Sequence, residues 1–125
     1  MALKQIITYS LIFFLSLALL GCNKHEIEPD TPQNTSGVYA AGYEENIKGI
    51  SVAKYWKDGI ATALTDGTHG ANATSIFVVG NDVYVAGNEA TAERKYVAKY
   101  WKNGNEINLT AGANMAFIHS IYVKQ

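Results

Sequence analysis

The stretch VAKYWKDG at residues 52–59 returns as VAKYWKNG at residues 97–104, and this repetition decides the fold. The same shift of 45 residues superposes three further pairs of segments: VYAAGYE (38–44) on VYVAGNE (83–89), LTDG (64–67) on LTAG (109–112) and SIFV (75–78) on SIYV (120–123). Self-similarity at a fixed period of this length is typical of architectures in which each repeat is one supersecondary unit. We therefore divide this region into repeat 1, residues 37–81, and repeat 2, residues 82–125.

Each repeat is predicted to form four short strands, because runs of β-branched and aromatic residues stop at Gly, Asn and Asp. Asp58-Gly59 and Asn103-Gly104 are preferred pairs for a two-residue type I′ hairpin, since both positions need a positive φ. Gly80 begins a second predicted hairpin at the end of repeat 1. Four strands in about 45 residues are typical of a propeller blade. We expect an all-β fold, a partial β-propeller of two four-stranded blade-like repeats.

Tandem copies of Tyr-Trp-Lys-Asn-Gly, Leu-Thr-x-Gly and Ser-Ile-x-Val across residues 37–125 resemble the β-propeller-like repeats of Bacteroidetes lipoproteins. The resemblance implies a propeller-like fold and a place in the cell envelope. It implies no particular activity, and no catalytic residue is carried over from it.

The number of repeats leaves two interpretations open, because a propeller has roughly 4–8 blades and two are found here. In the first, which we expect, the chain is a fragment of a longer propeller. In the second, it is a carbohydrate-binding lectin that closes a propeller by homo-oligomerisation, and residues 118–124 complete a blade of a neighbouring copy. The oligomeric state separates the two interpretations.

Residues 1–21 are typical of a signal peptide, with Lys4 ahead of an apolar run over residues 6–20. That run is short for a membrane span, which needs about 20 apolar residues. The sequence LLGC at residues 19–22 resembles the lipobox of bacterial lipoproteins, in which the cysteine is acylated and becomes the mature N-terminus. We predict lipidation at Cys22, the only cysteine of the chain, and hence a lipid-anchored protein that carries palmitate or a similar acyl group.

Residues 22–36 are predicted to be the lipidated cysteine and a flexible tether, because they are rich in Pro, Thr, Asn and acidic residues. The stretch KHEIE at residues 24–28 loosely resembles the charged signals that direct some Bacteroidetes lipoproteins to the cell surface. We expect a location in the cell envelope, at the outer membrane, with surface display as an extension of that expectation.

The aromatic residues Tyr43, Trp56 and Trp101 are the candidate ligand-binding residues, since exposed aromatic rings stack well on sugars. The stronger expectation for the two tryptophans is packing between blades, and their exposure distinguishes the two roles. Protein or glycan ligands would also contact the loops between strands, predicted at residues 44–49, 68–73 and 89–95.

No catalytic, cofactor or metal site is predicted. His25, His69 and His119 occupy non-equivalent positions and lack metal-ligand spacing. The acidic residues of the repeats fall at predicted turns and loops, so paired carboxylates in one cleft, as a glycosidase needs, are not expected. The balance of 10 basic and 11 acidic residues excludes a basic nucleic-acid footprint. We expect a binding or display module without enzymatic activity.

Overall fold

The computed structural model describes residues 36–125. The predicted signal peptide, Cys22 and all of the predicted tether but Ser36 lie outside the described residues. The described residues form seven strands and no helix: β1 Tyr39–Glu45, β2 Ser51–Lys57, β3 Ile60–Ala63, β4 Ala71–Val79, β5 Asp82–Ala90, β6 Tyr96–Lys102 and β7 Asn105–Asn108. None of them thus belongs to a helix that could span a bilayer. The prediction of an all-β fold is confirmed.

The strands form two antiparallel sheets, and the boundary between the sheets differs from the boundary between the repeats. Sheet 1 has the order β1-β2-β3, and sheet 2 has the order β4-β5-β6-β7. The prediction of four strands per repeat holds for repeat 1, which contains β1–β4, whereas repeat 2 contains three described strands, β5–β7. The sheets divide the strands differently, because β4 belongs to repeat 1 in sequence but pairs with β5 of repeat 2. The corresponding stretch of repeat 2, residues 116–124, was predicted to contain a strand but is assigned none.

The two repeats share one hydrogen-bonding register. Tyr39 lies opposite Lys57 in sheet 1, and 45 residues later Tyr84 lies opposite Lys102 in sheet 2. The predicted hairpin turns have positive φ at both central positions, 51° and 83° in repeat 1 and 51° and 82° in repeat 2. These values explain why Asp-Gly and Asn-Gly occur there, since Asp, Asn and Gly all tolerate the left-handed region of backbone conformation.

Polar side chains of the two repeats also make the same structural contacts. The Oδ1 atoms of Asp58 and Asn103 each accept a 2.9 Å hydrogen bond from a backbone N–H, that of Val38 just before β1 and that of Val83 in β5. The hydroxyls of Thr65 and Thr110 each accept a 3.1 Å bond from the N–H of an alanine in β2 or β6. These side chains complete turns and strand ends, so their recurrence reflects the framework of the fold.

The core lies between the two sheets. Its buried side chains are Ala53 of sheet 1 and Ala71, Ala73, Val85 and Trp101 of sheet 2. Because alternate residues of a strand point to opposite faces, the face of sheet 1 that carries Ala53 and Tyr55 covers the face of sheet 2 that carries Trp101. The other face of sheet 1, which carries Lys54 and Trp56 and which we call the open face, points away from this core.

Candidate functional site

The three candidate aromatic residues have different environments and do not form one site. Trp101 is 1% exposed, and its indole N–H has no hydrogen-bond partner among the described residues. Trp56 is half-buried on the open face of sheet 1. Tyr43 is 57% exposed and lies opposite Ala53, so it projects from the other face of the same sheet. Only Tyr43 presents a largely free ring, and the burial of Trp101 favours a packing role for that tryptophan.

Two loops of repeat 1 form a common cleft of about 300 Å³. It is lined by Asn46, Ile47, Lys48, Ile50, Asp66, Gly67 and Thr68. These residues belong to the predicted loops 44–49 and 68–73 or adjoin them, although Glu44 and Glu45 are part of β1 and β4 begins at Ala71. The side chain of Ile47 is fully exposed at the tip of the first loop.

Asn46 fixes the shape of this cleft. Its Oδ1 accepts hydrogen bonds from the N–H groups of Lys48, at 2.9 Å, and Ile50, at 3.0 Å. Its Nδ2 donates to the carbonyl oxygen of Gly67 at 3.3 Å, which ties the two loops together. Asp66 accepts a bond from the N–H of Thr68, and this bond lowers the pKa of the Asp66 carboxyl. The side chains of Asn46 and Asp66 are therefore engaged in holding the backbone of the cleft.

The corresponding loop of repeat 2 has the same backbone form but a different surface. Thr91 replaces Asn46 and accepts a bond from the N–H of Lys95. Arg94 has a φ of 59° where Gly49 has 73°, so the turn is retained without glycine. The Lys95 ammonium group donates a 2.5 Å bond to the carbonyl oxygen of Ala113. The side chains that this loop presents consequently differ between the repeats, whereas the backbone geometry that supports them does not.

Sequence reasoning missed an ion cluster in sheet 2. The Nζ atom of Lys99 lies 2.5 Å from an oxygen of Glu89 and 3.0 Å from an oxygen of Glu106, and the lysine side chain is only 7% exposed. Burial disfavours the ammonium charge, but the bonds to the two glutamates outweigh this effect and raise the pKa of Lys99. The recurrence of Lys and Glu at this spacing in both repeats was the signal that could have identified the pair.

The equivalent pair in sheet 1 is much more exposed. Lys54 lies 2.7 Å from Glu44, with side-chain exposures of 23% and 63%. The hydrogen bond from Lys54 lowers the pKa of Glu44. The identical pair is thus buried in one sheet and hydrated in the other, because sheet 1 covers the face of sheet 2 that carries Lys99.

A second group missed by sequence reasoning is the side chain of Asn88, which is 1% exposed. Its Nδ2 donates a 2.8 Å bond to the carbonyl oxygen of Ala116, and its Oδ1 accepts a 3.3 Å bond from the N–H of Ile118. Asn88 therefore holds the C-terminal stretch against sheet 2. Repeat 1 has Tyr43 at this position, and that substitution was the only hint in the sequence.

Within residues 36–125, no group of three or more His, Cys, Asp or Glu side chains is arranged to hold a metal ion. His69 and His119 are in this region, whereas His25 lies outside the described residues. Comparison with known proteins found no match to any family model, any curated protein or any solved structure.

Proposed function

We propose that the chain is a membrane-anchored bacterial lipoprotein whose two sheets belong to a β-propeller-like binding or display module. The lipid anchor is supported by the LLGC sequence ending at Cys22 and by the absence of any other cysteine in the chain. The propeller-like assignment is supported by two consecutive antiparallel sheets related by a 45-residue period.

The observation that carries the binding role is the contrast between a repeated framework and divergent loops. Hydrogen bonds at the hairpins and strand ends recur between repeats, whereas IKGI at residues 47–50 is replaced by AERK at residues 92–95. Loops that vary on a constant scaffold are where binding proteins place their specificity. The cleft beside Ile47 is therefore the proposed contact surface.

The anchor is tested by feeding cells an alkyne-tagged palmitate while they express the full-length chain. The wild-type protein should incorporate the label and fractionate with membranes, and Cys22→Ser should lose both properties. Asn23→Ser is the matched control, because it changes the neighbouring residue and leaves the thiol in place. Equal labelling of the Cys22→Ser variant would contradict the anchor.

The contact surface is tested with Ile47→Asp. Ile60→Asp is the control, because Ile60 is also exposed, at 75%, but lies on β3 away from the loop. Both variants and the wild type are applied to a glycan array and to an immobilised outer-membrane protein fraction. We expect the wild type and Ile60→Asp to bind the same surface and Ile47→Asp to lose that binding. Loss in both variants, or in neither, would refute the assignment to the Ile47 cleft.

A further inference from the structure

We propose that this chain self-associates head to tail, and that residues 116–124 of one copy add a fourth strand to the β1 edge of the next copy. In the same contact, sheet 2 of the first copy covers the open face of sheet 1 of the second. The proposal goes beyond the anchoring and binding roles and does not depend on either.

The acceptor is the edge of sheet 1. Within residues 36–125, β1 pairs only with β2, whereas its counterpart β5 pairs with both β4 and β6. The missing neighbour of β1 also leaves its residues less buried. Val85–Asn88 of β5 are all buried, whereas their counterparts 40–43 are exposed or half-buried. An unpaired strand edge offers free N–H and C=O groups to another strand.

The donor is the stretch of repeat 2 that corresponds to β4. It carries SIYV at residues 120–123 where β4 carries SIFV, yet no described strand pairs with it. It runs beside β4, because Thr74 donates a 2.9 Å bond to the carbonyl oxygen of Ile118 and Ser75 accepts a 3.1 Å bond from the N–H of Ile121. Tyr122 packs edge-on against Phe77 at 5.0 Å and is still 75% exposed. The donor is therefore already positioned on sheet 2, with an open side.

The register of the proposed pairing follows from the register observed between β4 and β5. Ile76 lies opposite Val85 and Phe77 lies opposite Tyr84. The 45-residue period relates β5 to β1 and relates β4 to residues 116–124. The same register therefore places Ile121 of one copy opposite Ala40 of the next, and Tyr122 opposite Tyr39. Alternation of side chains then sends Ile121 and Ala40 to the open face of the acceptor sheet.

The open face supplies a second, matching contact. Inside one chain, sheet 1 covers the face of sheet 2 that carries Lys99 and Trp101, and these side chains are 7% and 1% exposed. Their equivalents on the open face, Lys54 and Trp56, are 23% exposed and half-buried. The face of sheet 2 that points away from sheet 1 is the counterpart, in the same register, of the sheet 1 face that covers Trp101. It can therefore cover the open face of another copy in the same way. Such a contact is heterologous, so it generates a ring or an open filament.

The test is disulfide cross-linking of the full-length chain in bacterial membranes. One copy carries Ala40→Cys and a first epitope tag, and the other carries Ile121→Cys and a second tag. Mild oxidation should give a doubly tagged species on a non-reducing gel, with the combined mass of the two processed and tagged chains. Tyr122→Cys replaces Ile121→Cys in the control, because a shift of one residue points the thiol to the opposite face. A wild-type copy paired with Ile121→Cys gives the background from Cys22, which the signal must exceed severalfold.

The outcomes separate the partner classes. A doubly tagged species that is specific to Ala40→Cys with Ile121→Cys supports the donated strand. Its absence, when both variants resist protease as the wild type does, overturns the proposal, as does equal cross-linking with Tyr122→Cys. Dimers formed by Ala40→Cys alone would show an isologous contact, and cross-links only to another protein would show a different occupant, so either result also overturns it. Failure of the lipid anchor would appear in the palmitate labelling. It would not change the difference in cross-linking between Ile121→Cys and Tyr122→Cys.

Discussion

Removing the buried ammonium group of Lys99 should destabilise the protein far more than removing its exposed equivalent. The perturbation is Lys99→Met, which keeps the length and apolar stem of the side chain, and Lys54→Met is the matched control. In sheet 2 the substitution leaves Glu89, which is 17% exposed, without its cation. In sheet 1 it leaves Glu44, which is 63% exposed, in contact with water.

The magnitude follows from the hydration of the carboxylates left behind. Breaking a buried ion pair by removing one partner costs about 3–5 kcal/mol. Glu106 is 57% exposed and regains water freely, so the lower end of the range, about 3 kcal/mol, applies to Lys99→Met. For a domain of this size, 1 kcal/mol corresponds to roughly 4–8 °C in Tm, which gives a decrease of about 12 °C or more. At a protein concentration at which the chain is monomeric, Lys54→Met should leave Tm close to that of the wild type, because exposed ion pairs contribute little.

The assay is thermal unfolding of the purified variants by circular dichroism, with urea unfolding as a second measure of the free energy. The double variant Lys99→Met, Glu89→Leu should recover much of the loss, because it removes the buried uncompensated charge along with its partner. Equal decreases in Tm for Lys99→Met and Lys54→Met would refute the reasoning, since it rests on the difference in burial. Failure of the double variant to exceed Lys99→Met would refute the role assigned to the unpaired carboxylate.

Three further results are expected. Gly87→Ala should destabilise the protein by about 1–3 kcal/mol or more in urea unfolding, because a Cβ would lie 2.0 Å from a carbonyl oxygen of β4. Gly42→Ala should be milder, since its Cβ would meet only an indole ring at 3.3 Å; equal losses would contradict this account. Asn88→Leu should release the C-terminal stretch and accelerate chymotrypsin cleavage after Phe117, and an unchanged cleavage rate would contradict the holding role. Because the pKa of Lys99 is raised in the folded chain, its ammonium group contributes its full stabilisation at any pH below the pKa of an unfolded lysine, about 10.4. The Tm advantage of the wild type over Lys99→Met should therefore shrink as pH rises through the folded pKa, and a constant difference up to that pH would contradict it.

The sequence predicted the period, the strand class and the hairpins, because each depends on local patterns. Positive φ at Asp58-Gly59 and Asn103-Gly104 is a property of a dipeptide and its flanking strands. The composition of each sheet could not be predicted in the same way. Self-similarity defines the length of a repeat but not the point where one structural unit ends, and β4 pairs across the boundary that the sequence alignment suggested.

The different environments of equivalent side chains also could not be predicted from the sequence. Trp56 and Trp101 have the same neighbours along the chain, yet only Trp101 is fully buried, because burial depends on which sheet lies against each face. Lys99 and Asn88 were missed for a related reason. A lysine or an asparagine in a strand pattern is normally assigned to the solvent face, and only the structure shows the partners that satisfy these polar groups.

The search for a ligand is best confined to positions where the repeats differ. Recurrent polar residues are already engaged in turns, strand ends and ion pairs, so their presence in both repeats is explained by the fold. Two differing positions line clefts: Ile47, which corresponds to Ala92, and Tyr43, which corresponds to Asn88. Where Asn88 holds the adjacent stretch with two hydrogen bonds, Tyr43 leaves a ring beside a separate cleft of about 270 Å³. At both positions repeat 1 has exposed apolar or aromatic surface that framework packing does not require, and this asymmetry supports the proposal that the contact surface lies in repeat 1.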